Sequence, residues 1–225
     1  MPRAPIVIQD QATIPGWVED LASFRRWAQS ADFPARGRFS FLNSELWVDL
    51  AMEEFFTHNQ VKSAYAFTLQ SLLHAKPTGR FVPDRMLLTH PQVNLSTEPD
   101  ALFFFWETMQ TGRIRLVEKI DDGFLELEGT PDMTLEVVSK NSVRKDTVLL
   151  RDLYWKAGVA EYWLVDARGE VPRFDILRHE SDGYHETPAH AGWQRSALFQ
   201  HDFQLAREQD PLGKRLFIVK SRPAC

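Results

Sequence analysis

A mostly apolar run at residues 131–138, PDMTLEVV, carries one acid in its middle, and that acid restricts the folds open to the chain. The run opens on a Pro-Asp turn and reads as a strand. Side chains alternate along a strand, so Asp132, Thr134, Glu136 and Val138 share one face while Met133, Leu135 and Val137 share the other. Glu136 is therefore set among apolar neighbours. An unpaired carboxylate there is costly, so it must be ion-paired, bound to a metal or placed at an open sheet edge.

The elements around it supply the architecture. A helix over residues 146–157 follows the strand and stops at Gly158, the residue favoured just past a helix end. EYWLVDA and RFDILRH are further strands, and LFQHDFQL and RLFIVK form a final pair. Upstream, WVEDLASFRRWAQS is a short amphipathic helix broken by PARG, and RFSFLNSELWVDL is a hairpin turning at Asn43 and Ser44. A long helix is expected over residues 52–74, where Phe55, Val61, Tyr65, Leu69 and Leu72 recur at helical spacing until Pro77 and Gly79 end the pattern. GRFVPDRMLLTH and EPDALFFFWE are two strand candidates, and GRIRLVEKIDDGFLELEG is a hairpin around Asp122 and Gly123. This order gives a mixed β-sheet with helices packed against it, an α/β or α+β domain.

EPDALFFFW also opens on Pro-Asp and sets Asp100 just before an apolar run. Asp100 and Glu136 can meet across neighbouring strands, and such a pair suits Mg²⁺ or Mn²⁺, hard cations that take carboxylate, carbonyl and water oxygens. A metal held there can activate water and neutralise charge developing on a phosphodiester. The single cysteine, Cys225, excludes an intrachain disulfide and a Cys-rich zinc site. No run approaches the ~18 apolar residues of a membrane span, and the N-terminus lacks the apolar stretch of a signal peptide, so a cytoplasmic protein is expected. The net charge of -5 argues against holding nucleic acid by bulk electrostatics but leaves a local basic patch open.

The run from residue 131 to 168 resembles the Uma-type restriction endonuclease family of the PD-(D/E)XK nuclease superfamily. The likeness rests on Pro99-Asp100, on a second Pro-Asp strand ending Glu-Val-x-Ser at residues 136–139, on the Lys145-Asp146 helix start, and on Tyr-x-x-Ala-Gly-Val-x-Glu-Tyr-Trp-Leu-Val-Asp at residues 154–166. It implies a restriction-endonuclease-like domain over residues 37–180, an N-terminal extension at 1–36, and C-terminal strands at 181–225 packing on the same domain. The activity implied is Mg²⁺-dependent hydrolysis of DNA, and, since many restriction-type nucleases cut both strands as dimers, the resemblance extends the expectation to a homodimer. Asp100 and Glu136 take the place of the family's metal-binding carboxylates, the Val137 carbonyl that of a third ligand, and His58 that of a histidine in its early helix.

The chain departs from this pattern at three places. The superfamily lysine position is Val138, the family's displaced lysine position is Leu150, and the early glutamate falls on Ser40. A substitute cation is therefore expected, since the role needs a positioned charge rather than one place on the chain. Lys145, beside Arg144 at the mouth of the second helix, is the first candidate, followed by Lys140, Lys62 and Arg151. Arg151 points about 100° away from Leu150 around the axis. Glu54, His58 and Lys62, four residues apart, form either part of the site or an ion-pair ladder on a wet helix face. Asp132 reads as a strand-opening cap, Asp166 as an exposed turn acid, and Tyr154, Tyr162 and Trp163 as core aromatics. Two functions of different class remain: the endonuclease, and a nuclease fold that has lost its lysine and serves as a DNA-binding or assembly module. A lysine ammonium beside both carboxylates favours the first, and apolar surroundings at Leu150 the second. A hydrolase of some other phosphate ester would need a closed pocket instead of a groove.

Overall fold

Met133–Val137, the acid-bearing strand, lies at the centre of a six-stranded sheet ordered Gly183–Glu186, Arg173–Glu180, Glu161–Asp166, Met133–Val137, Ala101–Phe105 and Gly79–Pro83. The computed structural model describes residues 5–8, 12–118 and 123–224; Asp122, at the expected hairpin turn, and Cys225 lie outside them. Met133–Val137 pairs parallel with Glu161–Asp166 and antiparallel with Ala101–Phe105, so the sheet is mixed. Parallel neighbours need a crossover, and the intervening helix provides it. The register sets Leu135 opposite Ala101, which leaves Asp100 beside Glu136 where that ladder ends.

The expected alternation is observed. Met133, Leu135 and Val137 pack with Val61, Tyr65 and Leu69 of the helix Gln60–Ala75, while Leu150, Leu153, Tyr154 and Tyr162 form a separate cluster on the opposite face. Gly158 has φ +77°, a conformation that costs glycine least, and it ends the helix as expected. The helix itself begins one residue early, with a π-helical turn Lys145–Leu150 that continues as the α-helix Arg151–Lys156.

A second six-stranded sheet holds the Arg38–Leu42 and Glu45–Asp49 hairpin at one edge and the Ile114–Glu118 and Phe124–Gly129 hairpin at the other. The N-terminal helix Leu21–Ala28 starts at Asp20, whose carboxylate caps Ser23, and buries Phe24 and Trp27 against Phe39 and Phe41. Its Arg25 reaches Glu126 at 2.7 Å and also pairs with Glu128. At the other end of the chain, His201–Gln209 and Arg215–Pro223 pair antiparallel, and Phe203, Phe217 and Val219 join the core under the long helix. Glu161 ties this layer to the central sheet by accepting from Ser196 Oγ and Ala197 N at 2.7 Å each.

Three sequence expectations need correction. The long helix starts at Phe55, as a π-helical turn Phe55–Asn59, because Glu54 turns back to accept from Thr57 N and Oγ1 and so caps it. Phe55 is 58% exposed and lies off the core stripe. GRFVPDRMLLTH is two strands in different sheets, Gly79–Pro83 and Leu87–His90, separated by a turn with Arg85 at φ 65°. The strand in EPDALFFFWE stops at Phe105, where the short helix Trp106–Gln110 begins, and a further strand, Leu95–Thr97, precedes it. Among the described residues no helix is long and apolar enough to cross a membrane.

Candidate active site

Asp100 and Glu136 reach the same cavity of about 520 Å³, together with Val137, His58, Lys145 and Asp146. Its walls come from the irregular segment at 50–54, the turn at 139–142 and Arg168. Lys140 is exposed at the mouth. A second cavity of about 610 Å³ shares Arg38, Asn141, Ser142 and Lys145 with the first, so the space around the acids continues sideways.

Asp100 is held tightly. Its Oδ2 accepts from Val137 N at 2.8 Å, and its Oδ1 from Arg38 Nη1 at 2.7 Å. His58 Nε2 lies 3.5 Å from Oδ2, and Lys62 Nζ lies 3.8 Å from Oδ1. Burial pushes the carboxyl pKa up, but His58, Arg38 and Lys62 outweigh it and hold the group well below the usual carboxylate range. The same contact works on His58 in reverse: burial lowers its pKa, and Asp100 with Glu53 more than restores it, leaving it raised.

Glu136 has the opposite environment. Its Oε1 accepts from Tyr154 Oη at 2.7 Å. Burial is the main influence on its pKa; Lys145 opposes it, Asp146 and Asp100 reinforce it, and the group is pushed up to about 8. Asp146 is likewise pushed up to about 6, by burial against the pull of Lys145. Its Oδ1 is buried without a hydrogen-bond partner, with Lys145 Nζ 3.4 Å away. Burial lowers the Lys145 pKa, but Glu136, Asp146 and Asp100 raise it further, so the ammonium stays charged. The three acids and Lys145 form one electrostatic group.

The other expected residues divide. Lys62 faces this region from the long helix, pairing with Glu53 at 2.5 Å and Asp84 at 2.8 Å, so His58 and Lys62 lie against Asp100 and do not form a wet ladder. Arg151 is removed from the candidates, because its guanidinium turns away to donate to the Tyr184 carbonyl at 2.9 Å. Leu150 is fully buried in the apolar cluster. Ser40 bonds Thr97 Oγ1 at 2.9 Å. Asp132 accepts from Phe105 N and Thr108 Oγ1 at 2.8 and 2.6 Å, reaching across to the start of the helix Trp106–Gln110 instead of capping its own strand as expected, and Asp166 pairs with Arg168 at 2.7 Å.

Sequence reasoning missed Arg38, Glu53, Asp84 and the burial of Asp146. Arg38 alone left a signal: it stands two residues before Ser40, on the same face of its strand.

The residues that could hold a metal are Asp100, Glu136 and the Val137 carbonyl, an all-oxygen set. Among the described residues no three His, Cys, Asp or Glu converge into an all-protein cage. A donor set of this kind suits a hard cation that keeps part of its water. Asp146 Oδ1, buried without a hydrogen-bond partner, leaves further oxygen acceptor capacity beside this set.

A family model described as "Uma2: Putative restriction endonuclease" matches residues 21–208, a span that includes every residue of the cavity. A search of the curated proteins found no match. Among solved structures, one described as a putative nuclease belonging to DUF820, from Anabaena variabilis, aligns with TM-score 0.55 at 15% identity. The alignment covers 72% of this chain and 82% of that one, and at such identity the likeness is one of fold.

Proposed function

The chain belongs to the Uma2 family, whose description reads "Putative restriction endonuclease", and from that premise we propose that it hydrolyses DNA phosphodiester bonds with Mg²⁺ or Mn²⁺ at the Asp100–Glu136 cavity. The observation that carries this reading is the Lys145 ammonium in the same cavity wall as both carboxylates, where its charge acts on each. Bound to Asp100, Glu136 and the Val137 carbonyl, the metal would supply a more acidic water and neutralise charge on the phosphate. The protein's own groups have separate tasks. Val137 N–H and Arg38 fix the Asp100 carboxylate, and Tyr154 fixes one oxygen of Glu136. Lys145 stands in for the lysine missing at Val138 and Leu150, orienting the attacking water and stabilising the charge that grows on the phosphate. Lys140 and Arg168, exposed at the mouth, suit contacts with flanking phosphates, which position a strand without reading its sequence. The sideways continuation into the second cavity favours a strand over a small, enclosed phosphate ester.

One observation favours the module without activity: Leu150 is sealed in apolar surroundings. The test is nicking of supercoiled plasmid with Mg²⁺, Mn²⁺ or EDTA, with Glu136→Ala alongside. Metal-dependent nicking that the variant lacks is the expected result; equal cleavage by the variant rules out the site. A parent that neither nicks nor binds metal by calorimetry supports the inactive module.

A further inference from the structure

Two cationic side chains and a histidine next to the metal-ligand candidates converge on a carboxylate that lies on no regular element. Glu53 Oε1 accepts from Arg38 Nη2 at 2.7 Å and from Lys62 Nζ at 2.5 Å. His58 Nδ1, which is buried without a hydrogen-bond partner, lies 3.5 Å from Glu53 Oε2. The three basic groups are built into the fold: Arg38 on a strand, His58 on the π-helical turn Phe55–Asn59 and Lys62 on the helix Gln60–Ala75, with side chains 21%, 8% and 10% exposed. Glu53 sits in the irregular segment at 50–54 with its side chain 31% exposed, and the residue before it, Met52, is 96% exposed.

We propose that Arg38, Lys62 and His58 form a phosphate-binding subsite of the nuclease cavity, and that Glu53 occupies it as an internal substitute until a backbone phosphate of the nucleic acid displaces it. This rests on the nuclease reading and deepens it. The exchange is matched in charge, because a phosphodiester carries one negative charge, as Glu53 does. Arg38 and Lys62 do not become unpaired when Glu53 leaves, since Asp84 holds both, at 2.9 and 2.8 Å, and Asp100 holds Arg38. Oxygen acceptors in place of the Glu53 oxygens receive the same guanidinium and ammonium donors, a pairing at which arginine is especially effective. Arg38 bonds Asp100 as well as Glu53, so a phosphate in this subsite is one side chain away from a proposed metal ligand.

The experiment measures binding of an end-labelled oligothymidylate by fluorescence anisotropy in EDTA, where no metal-dependent cleavage occurs. Glu53→Gln should tighten binding by about three- to fivefold, the upper part of what one partly exposed ion pair is worth. Asp49→Asn removes the same charge from the same cavity, where the Asp49 carboxylate accepts from the nearby Ala51 N, and should change affinity less than about twofold. Adding Lys62→Met to Glu53→Gln should cancel the gain, and inorganic phosphate should compete better against Glu53→Gln than against the parent. Unchanged affinity in Glu53→Gln, an equal gain in Asp49→Asn, or no binding by any variant overturns the subsite. The two readings fail separately: tighter binding without Mg²⁺-dependent nicking removes the nuclease and leaves the subsite, whereas nicking with unaltered affinity removes only the subsite.

Discussion

Replacing Glu136 by glutamine should abolish a pH dependence of stability that the parent carries. The carboxyl titrates near 4.5 in an unfolded chain and is pushed up to about 8 when folded, chiefly by burial. Between those values the unfolded chain has lost the proton and the folded one retains it. The folded state then binds more protons, so stability falls as pH rises across the interval, and the penalty is complete above about 8. At 1.36 kcal/mol per pH unit the ceiling is about 5 kcal/mol, lowered by whatever water enters the cavity. Asp146 acts in the same direction from 3.8 to about 6, so the difference between parent and Glu136→Gln isolates the upper part of the window. Glutamine still offers an oxygen to Tyr154, which keeps the comparison one of charge. In thermal melts in EDTA from about pH 5 to about 9, the parent should lose roughly 10 °C as pH rises, at about 2–4 °C per kcal/mol for a domain of this size. Above about pH 6, where Asp146 has already titrated, the variant should hold its melting temperature, and it should exceed the parent above about pH 8. Parallel curves for the two proteins would refute the argument, because they would mean that Glu136 is not held neutral by burial.

Lys145→Met should lower plasmid nicking by about 10²- to 10³-fold, the range for removing one preorganised stabilising group, while the metal-induced rise in melting temperature persists. A variant that nicks at the parental rate removes Lys145 from the mechanism. Tyr154→Phe deletes the donor to Glu136 Oε1 and should cost about 1–3 kcal/mol in urea denaturation; a cost within error would show that this hydrogen bond holds nothing. Leu150→Lys returns the family's residue to its place, but Leu150 is fully buried among apolar side chains, so the variant should lose several kcal/mol of stability and gain no nicking. A stable and faster enzyme would show that this position still faces the cavity.

Much of the sheet was legible because its signals are local. Alternation separated Met133, Leu135 and Val137 from Glu136, the two positive-φ residues Asn43 and Ser44 marked their hairpin, and Gly158 marked its helix end. Asp100 and Glu136 were legible through the repeated Pro-Asp strand opening. Of the groups that act on them, His58, Lys62 and Lys145 were also legible, and Arg38 was much less so. Arg38 is 62 residues from Asp100 and comes from the other sheet, and its one local signal, the strand face it shares with Ser40, does not name its partner. Glu53 and Glu54 look alike in sequence, yet one pairs with three basic groups and the other caps its own helix. The break at Asp84 and Arg85 was hidden because strand-forming residues lie on both sides of a single turn that changes sheets.

The position of Lys145, the proposed substitute cation, follows from the helix geometry. Lys145 precedes Leu150 by five residues, and along an α-helix that spacing would set the two about 140° apart around the axis. These residues form the π-helical turn Lys145–Leu150, in which hydrogen bonds run from i to i+5 and bring residues five apart into consecutive turns. Lys145 is thus displaced from the position of Leu150 by one turn toward the strand end, with little rotation away from the cavity. The wider turn changes the partner of one carbonyl, and the Asp146 carbonyl accepts from Tyr162 Oη at 2.9 Å. Tyr162 lies on the strand parallel to the acid-bearing one, so the sheet itself supports the turn that carries Lys145. A lysine at Leu150 would have to extend through the packing of Leu153 and Tyr154, whereas Lys145 enters from the open end of the same helix. The apolar residue at Leu150 and a charged cavity are therefore compatible: the first fills the space beneath the helix, and the second is supplied one π-turn earlier.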